Sequence, residues 1–214
     1  MPTIHYLLER DCRVILCSHL GRPGGKVTEE LRLAPVGDRL GFLLDRPVKS
    51  LDDCVGPGVA TAVADMAPGD VVLLENLRFH PGEEKNDPQF SRDLAALADR
   101  FVMDAFAVAH RAHASTVGLP KLLPSAMGLL VQREVESMGG ALESPERPLA
   151  GLRGGAKVSD KILVLENLLD RLDHIFIGGG ICVTFLKALG ANTGASSVEI
   201  DRLDLPKERP EEPR

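Results

Sequence analysis

Short apolar runs separated by helical patterns recur along the whole chain. Most runs span three or four residues and are bounded by polar or turn-forming residues, which is typical of strands buried on both faces of a sheet. They predict strands at Val14–Cys17, near Val48, and at Val71–Leu74, Phe101–Met103, Leu149–Leu152 and Ile175–Ile177.

Helical patterns fill the intervals between these runs. The clearest is Ala34–Leu44, in which Leu40, Leu43 and Leu44 share one face. This alternation of strand and helix predicts an α/β fold, with a parallel sheet flanked by helices in a Rossmann-like three-layer arrangement. The other predicted helices are Val55–Met66, Phe90–Leu97, one around Leu129–Met138, Ser159–Leu172, and one from Gly178-Gly179-Gly180 through Leu189.

Composition changes at two places suggest the domain organisation. The segment Glu143–Pro148 is rich in charge and proline, which favours a boundary near residues 139–148. Residues 204–214 are almost all charged or proline and cannot build a core, so a disordered tail is expected there. The predicted division is 1–142, 143–203 and the tail 204–214.

The overall composition excludes several classes of protein. A net charge of −6 argues against a general binder of nucleic acid or anionic membranes. No apolar stretch approaches the roughly 20 residues of a membrane span, and no signal pattern opens the chain, so a cytoplasmic protein is expected. The four cysteines form no CxxC pair, which makes zinc binding and a disulfide framework poor interpretations.

Arginine and histidine follow three of the predicted strands. The carboxyl ends of parallel strands meet at one edge of a sheet, where open α/β folds bind their ligands. Guanidinium groups suit bidentate contact with carboxylate and phosphate oxygens, so the pattern predicts a pocket for a small, highly anionic ligand. A single histidine in these sets could instead have a structural role. His110 and His113 could also ligate a metal. The three sets are His19 with Arg22, Arg78 with His80, and His110 with Arg111 and His113.

Two glycine-rich turns carry a second kind of signal. Gly154-Gly155 precedes Lys157 and Lys161, which share a face if the segment is helical, and a helix start of this kind can hold phosphate. Its spacing is not that of a Walker A loop. Gly178-Gly179-Gly180 lets backbone approach a ligand closely, although a tight turn explains it equally well. The acidic pair Glu83-Glu84 is most simply a solvated loop.

Taken together, these motifs resemble those of the phosphoglycerate kinases. The resemblance runs from about residue 2 to about residue 203. The matching stretches are Ser18–Pro23, Glu75–Asp87, Asp104–Thr116, Gly154–Ile162 and Gly178–Leu186.

The resemblance implies a glycolytic phosphotransferase of two domains. In this family the first domain holds 3-phosphoglycerate in a basic patch, and the second holds Mg-ADP or Mg-ATP. The expected reaction moves a phosphoryl group between 1,3-bisphosphoglycerate and ADP. The family is usually monomeric, and no nucleic-acid or membrane partner is implied.

The resemblance also assigns roles residue by residue. It implies substrate contacts for His19, Arg22, Arg78 and Arg111. It implies catalytic roles for Lys157, Lys161 and Arg111, and a place near the interdomain hinge for His113. Contacts with the nucleotide are implied for Lys157, Lys161, Gly178, Gly179 and Gly180. No metal ligand is assigned.

The chain also departs from the family pattern. The family's opening strand and the second half of its nucleotide domain have no counterpart here, so the second lobe is expected to be incomplete. Ala107 and Val108 replace a usual Gly-Thr, and Arg153 replaces an apolar residue. An unpaired sheet edge is expected to leave the chain poorly stable or to be covered by self-association. The alternative function is therefore an inactive fragment that retains part of the 3-phosphoglycerate site.

Overall fold

A computed structural model describes residues 1–155 and 167–199 of the protein. The chain forms two compact units, the first covering Met1–Glu136 and the second beginning at Ser137. The assignment of a substrate domain and a nucleotide domain stays a prediction. Lys157, Lys161, most of the expected helix at Ser159–Leu172, and the tail 204–214 lie outside the described residues.

A three-stranded parallel sheet forms the centre of the first unit. Its strands are β1 (Val14–Leu16), β2 (Val48–Ser50) and β3 (Val71–Leu73), in the order β1-β3-β2. The register pairs Val72 of the central strand with Ile15 on one side and Lys49 on the other. Every residue of β3 is buried, as expected for an uninterrupted apolar run in a parallel sheet.

Helices flank this sheet, and several begin with proline, which has no N–H to leave unpaired in the first turn. In the first unit they are α1 (Pro2–Leu8), α2 (Ala34–Leu44), α3 (Pro57–Ala64), α4 (Pro81–Glu84), α5 (Pro88–Ala95) and α6 (Leu119–Leu122); α7 (Leu129–Glu143) runs past the boundary between the units.

Two hydrophobic clusters pack against opposite faces of β3, because successive side chains of a strand point to opposite sides. Val71 packs with Leu8 of α1 and Leu44 of α2. Val72 packs in the other cluster, which includes Val59 of α3 and Phe90 and Leu94 of α5. Helix, sheet and helix thus form three layers, which confirms the predicted fold class of a parallel sheet flanked by helices.

A second parallel pair completes the described strands of the first unit. It joins β4 (Phe101–Met103) to β5 (Ser125–Met127). The sequence predicted β4 but not β5, whose three residues are all exposed and begin with a serine. Helices α1, α4 and α6 were also missed, since none exceeds seven residues.

The second unit contains the parallel pair β6 (Ala150–Arg153) and β7 (His174–Ile177), followed by α8 (Gly179–Ala188). Both strands alternate between exposed and half-buried residues, so one face of this pair is solvent-exposed. Within residues 1–155 and 167–199, none of the helices combines the length and apolar character needed to cross a membrane.

Candidate functional site

The loop that follows β3 is fixed by two buried polar side chains. Glu75 is only 4% exposed, and its carboxylate accepts hydrogen bonds from the backbone N–H of Leu33 (2.9 Å) and from Arg32 (3.0 Å). Asn76 is fully buried, and its amide donates to the carbonyls of Leu20 (2.9 Å) and Leu31 (3.0 Å). Buried polar groups of this kind hold the loop after β1 against the end of β3.

Asn76 also begins the short 3₁₀ turn that carries Arg78. Its side-chain oxygen accepts the backbone N–H of Arg78 at 3.1 Å, as an N-cap residue does. The Arg78 side chain is 6% exposed, with Nη1 donating to the carbonyl of Gly21 at 2.8 Å. Nε lies 3.4 Å from a carboxylate oxygen of Glu84 but is a buried nitrogen without a hydrogen bond. The guanidinium is thus held firmly while part of its donor capacity is unused.

The charges that act on His19 show that several basic groups lie near one another. Burial lowers the pKa of His19 below its ordinary value, and the positive charges of Arg78, His113 and Arg111 lower it further, against a smaller opposing effect of Glu84. These groups come from the loops after β1, β3 and β4, so three strand ends contribute to one positively charged cluster. We call His19, Arg78, Arg111 and His113 the basic cluster.

Glu83 is buried beneath the basic cluster, contrary to the sequence-based expectation of a solvated acidic loop. It is 3% exposed and accepts hydrogen bonds from the backbone N–H (3.1 Å) and hydroxyl (2.5 Å) of Ser115. A carboxylate oxygen also lies 3.6 Å from Nδ1 of His113. Helix α4 turns Glu83 inward and leaves Glu84 42% exposed beside Arg78. The expectation was wrong for Glu83 because an acidic pair does not reveal which member faces the core.

The remaining basic residues of the sequence pattern differ in their placement. Arg22 is exposed and, within the described part of the chain, makes no ion pair. His110 is also exposed. His80 is engaged elsewhere: its Nε2 bonds a carboxylate oxygen of Asp53 at 2.7 Å, and its ring stacks on Phe90.

The two glycine turns of the second unit meet each other. Gly179, the first residue of α8, has φ +65°, a left-handed conformation that favours glycine. An added Cβ there would lie 3.1 Å from the carbonyl oxygen of Gly155. That oxygen also accepts the backbone N–H of Ile181 at 3.1 Å. Gly178 has φ −129°, and no atom of the described residues apart from its chain neighbours lies within 4 Å of the place where its Cβ would be. Exposed backbone at the first turn of a ten-residue helix can bind phosphate.

Two of the noted departures from the family pattern can be examined directly. Ala107 lies in the 3₁₀ turn Phe106–Val108, and it is not among the described residues with positive φ, so its Cβ adds no backbone strain. Arg153 of β6 is half-buried, and its buried Nε has no hydrogen-bond partner among the described residues. A buried nitrogen without a partner is unfavourable, so this arginine carries a cost at one nitrogen.

Sequence reasoning missed the supporting residues of the site. Glu75, Asn76 and Glu83 position the loop and the basic cluster, but the sequence analysis assigned none of them a role. The one signal available was a Glu-Asn pair directly after the apolar run at Val71–Leu74. Polar residues that close a buried strand need partners, and they find them in the neighbouring loops.

Comparison with known proteins agrees with the motifs. The phosphoglycerate kinase family profile matches residues 1–212. The phosphoglycerate kinases of Moorella thermoacetica and Dictyoglomus turgidum are 59% and 55% identical over 208 residues, which is 97% of this chain. These residues make up 53% and 52% of the two relatives, so the chain spans about half the length of the curated relatives it matches.

Solved structures give the same result. The structure of phosphoglycerate kinase from Coxiella burnetii matches with a TM-score of 0.81 at 42% identity, covering 97% of this chain and 52% of its own. The enzyme from Pyrococcus horikoshii matches with a TM-score of 0.80 at 34% identity, covering 90% and 49%. Sequence and fold agree along nearly the whole chain. The protein therefore belongs to the phosphoglycerate kinase family.

Proposed function

We propose that the chain takes part in phosphoryl transfer between 1,3-bisphosphoglycerate and ADP, the glycolytic reaction of its family. The observation that carries the proposal is the basic cluster, in which positive groups that follow two other strand ends lower the pKa of His19, after the larger effect of its burial. A phosphorylated carboxylic acid presents two anionic groups, and several arginines with fixed geometry complement both of them.

His19, Arg22, Arg78 and Arg111 are the proposed substrate contacts. Arg78 is the most rigid of them, because its burial and its bond to Gly21 hold the guanidinium before a ligand arrives. Such preorganisation orients the substrate without further ordering of the side chain. Exposed Arg22 would close on the ligand from solvent.

The glycine turn at Gly178, Gly179 and Gly180 is the proposed binding site for the nucleotide. This proposal rests on the left-handed conformation of Gly179 and on the close approach of Gly155. The start of α8 therefore presents backbone groups, with no side chain in front of them, to a ligand. Lys157 and Lys161 are proposed to contact the nucleotide phosphates and the transferred group. Mg²⁺ would enter with the nucleotide and neutralise phosphate charge.

The proposed chemistry needs no general base on the protein. In the direction of acyl phosphate formation the nucleophile is a carboxylate, which is ionised at neutral pH because its pKa is near ~4. The protein's residues then act by alignment and by stabilising negative charge on the transferring group. Arg111 and the two lysines are the proposed catalytic residues. The same proposal includes a cytoplasmic location and a monomeric state. The alternative to the monomer is self-association through a sheet edge.

Turnover tests this proposal directly. Purified chain is assayed for ATP formation from 1,3-bisphosphoglycerate and Mg-ADP, with the Arg78→Ala variant as a control for contaminating kinase. Activity that falls in the variant supports the proposal, and equal activity in both proteins contradicts it.

A second candidate is a fragment that binds the substrate without turnover; the chain's half-length match to its relatives favours it. Binding of 3-phosphoglycerate with no ATP formation would select that candidate.

A further inference from the structure

Three side chains with metal-binding atoms meet outside the basic cluster. Asp53 and Cys54 lie in the loop between β2 and α3, and His80 immediately precedes α4. A carboxylate oxygen, the thiol sulfur and an imidazole nitrogen all lie within 4.8 Å of one another. Because Asp53 and His80 are 27 positions apart, no sequence spacing suggested the group.

The surroundings of the thiol exclude a role as a nucleophile. Cys54 is 0% exposed, and burial, followed by the charge of Asp53, raises the pKa of its thiol far above the ordinary value. A reactive cysteine requires access and a lowered pKa. The imidazole is also committed, since its Nε2 bonds Asp53 rather than the sulfur. A cysteine–histidine catalytic pair is therefore a poor description of this group.

The donor set instead matches a divalent cation that accepts sulfur ligands. Thiolate, imidazole and carboxylate together are typical of Zn²⁺ sites, whereas Mg²⁺ and Ca²⁺ take oxygen ligands. We propose that Asp53, Cys54 and His80 form a Zn²⁺-type metal site, with three protein ligands and a fourth position open to solvent.

Only small movements would convert the observed geometry into a tetrahedral site. Zinc–ligand distances of about 2.0–2.3 Å place neighbouring ligand atoms about 3.3–3.7 Å apart. The Asp53–His80 contact of 2.7 Å must open by less than ~1 Å, and the wider separations must close by about 1 Å from the 4.8 Å limit. The Asp53 side chain is 53% exposed, while stacking of His80 on Phe90 at 5.0 Å holds the imidazole in place.

The charges around the group favour a cation. One carboxylate oxygen of Asp53 accepts hydrogen bonds from His80 and from the backbone N–H of Cys54, both at 2.7 Å. The buried carboxylate of Glu83 and the thiol of Cys17 are the other titratable groups that act on Cys54. An adjoining cavity of about 390 Å³ is lined by Asp87 and Asp93 together with Lys85.

The consequence is a metal-dependent link between two loops. A bound ion would join the β2–α3 loop to the start of α4, the helix that carries Glu83 and Glu84. Any ligand that binds only the folded chain stabilises it. A bound ion would therefore raise the free energy of unfolding of the chain. This ion is separate from the Mg²⁺ that accompanies a nucleotide.

Cobalt titration of the full metal-free chain tests the proposal. Co²⁺ adopts zinc geometry, and a thiolate ligand gives it a near-ultraviolet charge-transfer band. We expect that band to saturate at one equivalent, to be displaced by Zn²⁺ and not by Mg²⁺, and to disappear in the Cys54→Ser variant. Cys17→Ser and Cys182→Ser serve as matched controls and should retain the band.

A second variant keeps the test decisive if Cys54→Ser does not fold. His80→Gln changes a half-exposed side chain, and we expect at least tenfold weaker Co²⁺ binding and loss of the Zn²⁺-induced rise in Tm. Absence of a charge-transfer band in the folded wild-type chain would overturn the proposal. Retention of wild-type affinity in folded His80→Gln would also overturn it.

Discussion

The loop after β3 and the turn before α8 position the groups proposed to bind ligands in different ways. At β3, the strand is buried on both faces, and buried side chains such as Asn76 and Glu75 tie the loops together. At α8, the strands beneath are exposed on one face, with Leu152 85% and Phe176 58% exposed, and position depends on glycine backbone. We infer that the loss of a single side chain destabilises the loop after β3 strongly. At the turn before α8, a change of backbone conformation should destabilise the structure more than the loss of a side chain.

The largest expected effect is the loss of the Asn76 side chain. Asn76→Ala leaves the carbonyls of Leu20 and Leu31 without their donor, and each unsatisfied group costs about 1–3 kcal/mol. We expect the free energy of unfolding to fall by about 3 kcal/mol in urea titrations. The matched control is Asn192→Ala in the second unit, where an exposed side chain accepts one bond from Gly194 and the loss should be about 0.5 kcal/mol. Equal losses in the two variants would remove the contrast between the regions.

Backbone substitution at the second place should have the next largest effect. Gly179→Ala places a Cβ on a residue with φ +65° and 3.1 Å from a backbone oxygen, which costs about 1–2 kcal/mol. Hydrogen exchange of the Ile181 amide, which donates to Gly155, should accelerate about tenfold. Gly178→Ala is the control, because its backbone is extended and its side-chain space is open. Similar acceleration in both variants would contradict the role given to Gly179.

A smaller effect is expected from the titration of His19. Burial and neighbouring positive charge lower its pKa below the ordinary value of 6.5, so near that pH a smaller fraction of the imidazole is protonated in the folded chain than in the unfolded chain. The folded chain then binds fewer protons than the unfolded chain, and this contribution to stability is lost as pH falls below 6.5. A bound anion raises the pKa again, so binding takes up a proton.

Sulfate is a suitable probe for this linkage, since its charge is constant from pH 5.5 to pH 7.5. We expect its affinity to rise several-fold as pH falls through that range, and the dependence to flatten in His19→Gln. His174→Gln, which changes an exposed residue of β7, should leave the dependence intact. A pH profile unchanged by His19→Gln would show that another group titrates.

The smallest effect should come from Glu84. Its carboxylate lies 3.4 Å from Nε of Arg78 and competes with an incoming anion, but it is 42% exposed and partly screened. Glu84→Gln should therefore raise the affinity for 3-phosphoglycerate about threefold, measured by calorimetry, since an exposed pair contributes under ~1 kcal/mol. Glu30→Gln, at an exposed position outside the basic cluster, is the control. Weaker binding after Glu84→Gln would mean that this carboxylate supports the site.

Much of the first unit could be predicted because its signals are local. Helix α2 has the predicted bounds, Ala34–Leu44, and the buried strand β3 follows from a continuous apolar run. The meeting of His19 and Arg78 followed from their positions after neighbouring parallel strands, whereas Arg111 follows β4, which belongs to a separate pair of strands. Strand β5 was missed because three exposed residues with one serine carry no strand pattern.

The supporting interactions could not be predicted, because they join distant segments. Nothing local distinguishes buried Glu83 from exposed Glu84; the difference arises when Ser115 supplies donors from a loop 32 positions away. The same holds for the contact between Asp53 and His80. Side-chain direction in a loop depends on partners that only the folded chain brings close.

Calorimetric titration of the chain with 3-phosphoglycerate, compared between wild type and Arg78→Gln, tests the central claim most directly. A hydrogen bond to a charged group contributes about 1.5–3 kcal/mol, so a folded variant should bind about 10- to 100-fold more weakly. Arg92→Gln, which changes an exposed guanidinium on α5, should bind as the wild type does. If folded Arg78→Gln binds 3-phosphoglycerate as tightly as the wild type, the basic cluster is not the anion site.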